Sequence, residues 1–446
     1  MLYKLAKPNY SELVVGAGAT VPLADGRLVP EINFDNAATT PPLHSVLERL
    51  REFAPIYSSI HRGAGYKSQL SSALYEEARR EVLKFVAGDP SHDTVVFVKN
   101  TTEAINLLAD RLRNQDKNVV ITTYMEHHSN LLPWRKNFQV VYAEIDEAGR
   151  LILADLEAKL ARYRGKVRLV AVTGASNVTG YVNPIYDIAE MAHRYGTEIL
   201  IDGAQLVPHL PVDLKPAGSP KHLDYLAFSA HKMYAPFGTG VLIGPFATFA
   251  AGSPGYAGGG TVRLVTPAAI VWDDPPHKDE AGTPNLMGVI ALVAAIKTIT
   301  CLGLKNLARH EKSLTEYALT KLRRIPGLQL FTDQTSPGQR IGVIPFNVQN
   351  LHHSTVAQIL ASEAGIAVRS GCFCAQPYVQ RLLRVTQRDI EYALHHPDAP
   401  RPGLVRLSFG FYNDFSEIDI LAQNIEQMVA GRKTRPAGAS RLRVRA

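Results

Sequence analysis

Cysteine is scarce in this sequence, with only Cys301, Cys372 and Cys374 among its 446 residues. So few thiols, in an odd number, exclude a disulfide framework for a chain of this length, and we expect them to be reduced. Cys301 lies in an apolar stretch and is predicted to pack in the core. The sequence also lacks an apolar run of about eighteen residues and a leader pattern at its amino terminus. We therefore expect a cytoplasmic protein with no membrane contact.

Acidic residues are absent after Glu426, and this absence accounts for most of the net charge. The formal charge is +7, from 48 Lys and Arg against 41 Asp and Glu. The basic residues of the acid-free end are Arg432, Lys433, Arg435, Arg441, Arg443 and Arg445. The rest of the chain is near neutral, so no basic face for nucleic acid is predicted. Residues 431–446 are predicted to form a basic, disordered tail.

Short β-branched apolar runs alternate with longer amphipathic runs between about residues 95 and 244. The predicted strands are residues 95–98, 119–122, 140–145, 169–173, 199–201, 225–228 and 241–243. Such alternation is typical of an α/β fold with a mostly parallel sheet. We assign a large α/β domain to residues 30–286.

The pattern changes after about residue 286, where a helical run is followed by short strands and helices. Residues 287–430 are therefore predicted to form a smaller α+β domain. Its final helix is predicted to begin near Ser416, with Asp419 as the other half of a capping box, and to run to about Val429. Residues 1–29 have no assignment from their pattern.

Two of the predicted strands end in residues that suit pyridoxal phosphate. Lys232 follows an apolar strand and stands beside His231; desolvation and a neighbouring cation lower the pKa of such an amine and favour Schiff-base chemistry. Asp202 ends another strand and could hold the proton of the cofactor's ring nitrogen. Strand-end pairs of this kind also form simple salt bridges or caps. Ligands of open α/β sheets bind at the carboxyl ends of strands, where Asn100 and Asn177 also lie.

A helix is predicted to open at Thr101 and Thr102, directly after the strand at residues 95–98. The free N–H groups of its first turn would face the crevice at the end of the strand and could bind an anion. On spacing alone, ordinary helix capping by Thr101 and Thr102 is an equal alternative.

Nine segments carry a family resemblance over residues 33 to 415. They are NFDNAATT (33–40), HRG (61–63), NTTEAIN (100–106), EHHSN (126–130), SNVTG (176–180), DGAQ (202–205), SAHK (229–232), AGTPN (281–285) and RSGCFCAQP (369–377). In this order and spacing, the chain resembles class V aminotransferase-type enzymes of fold type I, and is most similar to the group II cysteine desulfurases and selenocysteine lyases.

The resemblance implies roles for most of the polar residues at the strand ends. It implies that Thr102, Ser229 and His231, together with Thr101, bind the cofactor phosphate. His127 would stack on the cofactor ring and relay protons, and Gln205 would donate to its phenolic oxygen. Asn177 would lie near the substrate or that same oxygen. Thr283 would reach the phosphate of a partner subunit, which implies a homodimer with shared active sites. Residues 1–29 would pack on the small domain.

The resemblance also implies how the substrate is handled. Arg406 would hold the α-carboxylate of L-cysteine, with a contribution from Arg62. Cys374 would attack the substrate sulfur and become a persulfide while alanine leaves, and Arg369 could lower the pKa of the thiol. The short loop of group II implies a sulfur-acceptor protein and a part in iron–sulfur cluster assembly. The pair Cys372 and Cys374 is also similar to a stretch in molybdenum-cofactor sulfurases. No metal site is predicted.

Three alternatives stay open at this point. The first is a lyase that acts by β-elimination on cysteine, cystine or selenocysteine without needing Cys374. The second is an aminotransferase or epimerase that acts on an amino acid without sulfur. The third is a cofactor-binding scaffold whose catalysis has been lost, against which Lys232, Asp202 and His127 are all present.

Overall fold

The computed structural model describes residues 9–113, 116–332, 340–396 and 398–431. The predicted basic tail, apart from Gly431, lies outside these residues. The strands are β1 (Thr20–Pro22), β2 (Leu28–Pro30), β3 (Ile32–Asn33), β4 (Asp93–Val98), β5 (Val119–Thr123), β6 (Gln139–Ala143), β7 (Val167–Thr173), β8 (Glu198–Asp202), β9 (Tyr225–Ser229), β10 (Gly240–Pro245), β11 (Val262–Val265), β12 (Ile270–Trp272), β13 (Leu328–Leu330), β14 (Val343–Val348), β15 (Ile366–Ala367), β16 (Arg369–Gly371) and β17 (Leu404–Ser408).

The helices alternate with the strands in the first part of the chain and cluster later. They are α1 (His44–Phe53), α2 (Tyr66–Phe85), α3 (Thr101–Arg111), α4 (Leu132–Asn137), α5 (Leu153–Arg162), α6 (Ile185–Arg194), α7 (Phe246–Ala250), α8 (Leu286–Leu302), α9 (Leu304–Leu322), α10 (His353–Ala364), α11 (Gln376–Leu382), α12 (Gln387–His395) and α13 (Phe415–Val429).

A seven-stranded sheet forms the centre of the large α/β unit. Its order is β4-β10-β9-β8-β7-β5-β6, and only β10 runs against its neighbours β4 and β9. The strands from β9 to β6 pair in parallel. The residues of β5, β7, β8 and β9 are almost all buried because helices cover both faces, whereas the edge strand β6 is mostly half-buried. The prediction of an α/β fold with a mostly parallel sheet is confirmed.

A second sheet, of order β13-β14-β17-β16, has its own apolar core with α9, α10 and α13. Residues near the amino terminus also contribute to this region. Strand β3 pairs in parallel with β15, and the N–H of Ala24 donates to the carbonyl of Ser362 at 2.7 Å. The amino-terminal segment therefore contacts this second sheet region. The domain boundaries predicted at residues 29, 286 and 430 stay predictions.

Two local predictions are wrong. The capping box of α13 is formed by Asp414 and Glu417, not by Ser416 and Asp419. Asp414 is extended and its side chain accepts from the N–H of Glu417, which is the geometry a cap needs. Cys301 is exposed rather than packed in the core, because it lies on the outer side of α8.

Within the described ranges, no single helix has the length and apolar composition of a membrane span, although α8 and α9, bent by 77°, pass that test as a pair.

A buried ion pair joins α2 to the loop that precedes α8. Arg79 and Glu280 form two hydrogen bonds, of 2.7 and 2.8 Å, and their side chains are 8% and 3% exposed. Glu280 also accepts from the N–H of Phe97 on β4 and from the hydroxyl of Tyr75. Each polar atom of the pair is therefore satisfied inside the protein.

Replacing Glu280 with alanine is expected to lower the free energy of unfolding by about 3 kcal/mol, since the buried Arg79 guanidinium then keeps only the partly exposed carboxylate of Glu76 as a counter-charge. Urea unfolding followed by circular dichroism measures the loss. The control is Glu157→Ala, which removes the exposed partner of Arg194 and should cost less than about 1 kcal/mol. Equal effects of the two substitutions would contradict the prediction.

Candidate active site

A cavity of about 250 Å³ opens at the carboxyl ends of the parallel strands. It brings together most of the predicted site residues, namely Thr101, Thr102, His127, Asn177, Asp202, Gln205, Ser229, His231, Lys232, Cys374 and Arg406. They come from the ends of β4, β5, β7, β8 and β9 and from the second sheet region. A crevice at this edge is where open α/β sheets bind ligands.

Lys232 ends a short 3-10 turn that follows β9. Burial lowers the pKa of its amine to about 8, and the nearby carboxylate of Asp202 opposes that shift. Burial also raises the pKa of Asp202, while the Ala204 N–H and the charge of Lys232 lower it. The cavity thus holds an amine that is partly neutral near pH 8 together with a carboxylate that has few hydrogen bonds.

His127 lies after β5 and faces the same cavity. Its Nδ1 accepts a hydrogen bond from the N–H of Ser129 at 3.1 Å, which leaves Nε2 as the protonated ring nitrogen. Burial, with help from the charge of Lys232, lowers the pKa of His127 to about 3. The imidazole is therefore neutral near pH 7.

Glu126 anchors this segment and was missed from the sequence. Its carboxylate accepts from the N–H of Thr173 on β7 at 3.0 Å and from the side chain of Asn130 at 2.6 Å. Burial raises the pKa of Glu126 to about 8, against the lowering effect of these donors. By bridging β5 and β7 it holds the neighbouring His127 in place. The only sequence signal was its position beside a predicted site residue.

The first turn of α3 lies at one end of the cavity. The cap of α3 is Asn100, whose side chain accepts from the N–H of Glu103 at 3.0 Å. Asn100, rather than Thr101 or Thr102, is therefore the residue that caps this helix. The N–H of Thr101 donates to the Ser229 hydroxyl at 2.8 Å. Thr102 lines the cavity, and its hydroxyl is hydrogen-bonded to the hydroxyl of Ser129 at 2.7 Å. Hydroxyls and a helix amino terminus are suited to bind a phosphate.

His231 also lines this end of the cavity. Burial, followed by the charge of Lys232, lowers the pKa of His231 to about 4. A neutral imidazole can donate one N–H to an anion without adding a second positive charge beside the lysine.

Arg406, in β17, is buried and holds a charge that its neighbours compensate only in part. It donates to the carbonyl of Asn177 at 2.9 Å and to Asp35 at 3.2 Å, and burial lowers its pKa to about 10. Asp35 also pairs with Arg369, at 2.8 Å. Two guanidinium groups thus share one carboxylate, which leaves a net positive charge that a substrate carboxylate could neutralise. Asp35 was not recognised from the sequence.

Cys374 is exposed at the mouth of the cavity, in a loop held from several sides. Its carbonyl accepts from the N–H of His128 at 2.6 Å, and the carbonyl of Phe373 accepts from the Asn177 side chain at 2.7 Å. Phe373 and Cys374 both have left-handed backbone conformations, with φ of 52° and 54°. Such strain is retained where the surrounding structure fixes the loop. Arg369, the cation that was expected to lie near this thiol, forms an ion pair with Asp35.

The unpaired polar groups of the cavity fit pyridoxal phosphate. Gln205 uses its amide nitrogen on the carbonyl of Ala37 at 2.6 Å, whereas its Oε1 and the Nε of Arg406 have no partner among the described residues. Buried polar atoms without partners are costly unless a ligand satisfies them. With Lys232, Asp202 and the α3 terminus arranged around the same space, the residues present suit an aldehyde, a ring nitrogen and a phosphate.

Thr283 and Arg62 are not at this cavity. Both line a separate cleft together with His277 and Gly260. The structure of one chain therefore does not bring them to Lys232, and their predicted roles stay predictions.

The chain is similar to class V aminotransferases and to cysteine desulfurases. Residues 32–421 match the family described as aminotransferase class-V. A probable cysteine desulfurase of Halalkalibacterium halodurans is 34% identical over 407 residues, which cover 89% of this chain and 93% of that protein. A probable cysteine desulfurase of Mycolicibacterium paratuberculosis is 37% identical over 412 residues, although the chain spans only 56% of that relative's length.

Solved structures agree with the sequence relatives. A cysteine desulfurase from Thermococcus onnurineus NA1 superposes with a TM-score of 0.80 at 33% identity, covering 90% of this chain and 95% of that one. The cysteine desulfurase CsdA from Escherichia coli gives a TM-score of 0.76 at 30% identity, with the same two coverages. The expected resemblance to class V enzymes and to cysteine desulfurases is confirmed.

Proposed function

Because the chain belongs to the aminotransferase class-V family, we propose that it is a pyridoxal phosphate-dependent cysteine desulfurase. It moves sulfur from L-cysteine to Cys374 and releases L-alanine. The observation that carries this proposal is the common cavity of Lys232, Asp202, Arg406 and Cys374. A buried amine, a carboxylate, an anion-binding guanidinium and an accessible thiol are the groups that this reaction needs.

Different residues of the cavity would hold different parts of pyridoxal phosphate. Pyridoxal phosphate, when bound, supplies a ring that stabilises the negative charge left when the α-carbon of an amino acid loses a proton. Lys232 would bind its aldehyde and Asp202 its ring nitrogen, with His127 against the ring. The amide nitrogen of Gln205, which gives one N–H to Ala37, would donate its second N–H to the phenolic oxygen. The residues assigned to the cofactor phosphate are Thr101, Thr102, Ser229 and His231.

Arg406 orients the substrate. Its guanidinium, together with Arg369, carries one positive charge more than Asp35 neutralises, so it binds the α-carboxylate of cysteine. Asn177 holds Arg406 from the other side through its carbonyl. Lys232, once its amine is neutral, takes the proton from the α-carbon. Phe373, whose ring lies 4.9 Å from the Arg406 guanidinium, limits access of water to that charge.

Cys374 receives the sulfur. Its thiolate attacks the sulfur of the substrate, so an S–S bond forms as the C–S bond breaks, and the electron pair of the broken bond stays with the carbon. That carbon takes a proton and becomes the methyl group of alanine. Because the loop is held by His128 and Asn177 while the thiol is exposed, we infer that an acceptor protein comes to Cys374 to remove the persulfide sulfur.

The test of this function is product analysis. Holoenzyme given L-cysteine and a reductant should form sulfide and alanine in equal amounts. Without a reductant, mass spectrometry of the digested protein should find one added sulfur atom on the peptide that contains Cys374. Pyruvate and ammonia as the main organic products would instead indicate β-elimination, and amino-group transfer to an α-keto acid would indicate an aminotransferase.

The pKa of Lys232 predicts how the cofactor-free protein takes up pyridoxal phosphate. The uptake rate should rise about tenfold from pH 7 to pH 9 and then level off, because only the neutral amine reacts and its pKa is about 8. Stopped-flow absorbance measures the rate. Asp202→Asn should move the midpoint to lower pH, since the carboxylate raises this pKa. A rate that still rises beyond pH 10 would contradict the prediction.

We propose further that the enzyme is a cytoplasmic homodimer that supplies sulfur for iron–sulfur cluster assembly. The placement of Thr283 and Arg62 in a cleft separate from the Lys232 cavity supports the dimer, because a second chain could bring these residues to the site that one chain leaves without them. Sedimentation equilibrium of the active enzyme tests this point, and an active monomer would contradict it.

A further inference from the structure

A second cluster of potential metal ligands lies at the amino ends of two strands of the central sheet. His92 and Asp93 stand at the start of β4, and His222 lies just before β9. One candidate ligand atom from each of the three residues lies within 4.8 Å of the others. The Lys232 cavity is at the carboxyl ends of these same strands, so the two places are separated by the length of the sheet.

His222 is prepared to act as a ligand. It is 3% exposed, and its Nδ1 lies 2.8 Å from the carbonyl of Lys215. A carbonyl only accepts hydrogen bonds, so Nδ1 carries the proton and Nε2 presents a lone pair. That Nε2 is buried and has no partner among the described residues. Metal-binding histidines commonly have this arrangement, with the second nitrogen donating to a backbone carbonyl.

Asp93 and His92 complete the donor set. The Asp93 side chain is 2% exposed; its Oδ2 accepts from the N–H of Asp89 at 2.8 Å, which leaves Oδ1 facing the His92 ring nitrogen at 2.8 Å. Within the described ranges, no lysine or arginine pairs with this carboxylate. The His92 side chain is 36% exposed, which gives an ion a path from solvent. The rings of His92 and His222 are 5.4 Å apart.

We propose that His92, Asp93 and His222 bind a divalent transition-metal ion of the zinc class, with water as a fourth ligand. Two imidazoles and one carboxylate suit zinc better than calcium or magnesium, which prefer oxygen donors. A tetrahedron with bonds of about 2.0 Å has edges of roughly 3.3 Å, so only small side-chain movements are needed. The ion would tie β4 to β9, which β10 separates in the sheet.

A comparable group elsewhere lacks these features. His61, Glu76 and His277 also lie close together, but Glu76 is engaged by Arg79 at 3.0 Å. Neither histidine of that group has a buried nitrogen without a partner in the described chain. His277 therefore provides a matched control.

The test is zinc binding by the full-length holoenzyme, measured by competition with a chromophoric chelator, and the zinc-induced rise in melting temperature. Wild type and His277→Gln should bind one ion per chain at this site and should show the rise. His92→Gln and His222→Gln should bind at least about tenfold more weakly and lose the rise. If His222→Gln does not fold, His92→Gln decides alone, because its side chain is partly exposed.

Three results would overturn the proposal. The first is the absence of zinc binding by wild type at micromolar concentrations. The second is equal affinity of wild type and His92→Gln. The third is zinc binding that Cys374→Ser abolishes while His92→Gln does not, which would assign the ion to the thiol.

Discussion

Lys232→Ala is expected to lower the rate of alanine formation from L-cysteine by at least about 10³-fold, because the substitution removes both the covalent attachment point of the cofactor and the base that takes the α-proton. The protein should still fold, since the lysine lies at the end of a short turn facing a cavity. Steady-state alanine and sulfide assays measure the loss.

Two further variants separate the possible causes of that loss. Lys232→Arg keeps the positive charge beside Asp202 but cannot form the imine, so it should be as inactive as Lys232→Ala. Lys99→Ala removes a surface lysine whose side chain is 79% exposed, and it should retain wild-type activity. Borohydride reduction followed by peptide mapping should label residue 232 in wild type. Substantial activity in Lys232→Ala would remove the basis of the proposed function.

The site residues that lie at or just after the end of a strand could be predicted from the sequence. Asp202 ends a recognisable apolar strand, and Lys232 and Asn177 follow two others. Parallel strands bring their carboxyl ends to one edge of the sheet. The order of strands in the sheet then determines which residues become neighbours. The structure brings them to one cavity as expected.

Contacts between distant segments could not be predicted in this way. Asp35 comes to Arg406 because β3 pairs with β15 and Asp35 itself forms a β-bridge with Ser408, more than three hundred residues later in the chain. Neither periodicity nor a local motif reports such a pairing. Glu126 was similarly missed, because a carboxylate next to a histidine gives no sign that it will be buried and bonded to β7.

The two wrong local predictions have simple physical origins. The segment from Asp414 to Asp419 contains two overlapping pairs with capping-box spacing, Asp414 with Glu417 and Ser416 with Asp419. The helix begins with the first pair. Cys301 lies in the apolar helix α8, in which nearly every position looks buried. Only the packing of α8 against α1 and α2 leaves one side free.

Cys374→Ala is expected to reduce alanine formation by at least about 10³-fold while leaving cofactor binding unchanged, because the thiol accepts the sulfur but does not hold the cofactor. Absorbance changes on adding L-cysteine should persist, since Lys232, Asp202 and Arg406 are intact. The matched control is Cys301→Ser, an exposed thiol on α8, which should behave as wild type. The same assays and a visible spectrum measure both properties.

Cys372 makes this experiment more informative. It is half-buried and lies outside the residues that line the Lys232 cavity, so Cys372→Ser should form alanine at the wild-type rate. If Cys374→Ala also kept full turnover and produced pyruvate, the enzyme would be a β-elimination lyase that uses Lys232 alone. Loss of alanine formation in Cys374→Ala, with retention in Cys372→Ser, would instead require that the substrate sulfur go directly to Cys374, the thiol at the cavity mouth.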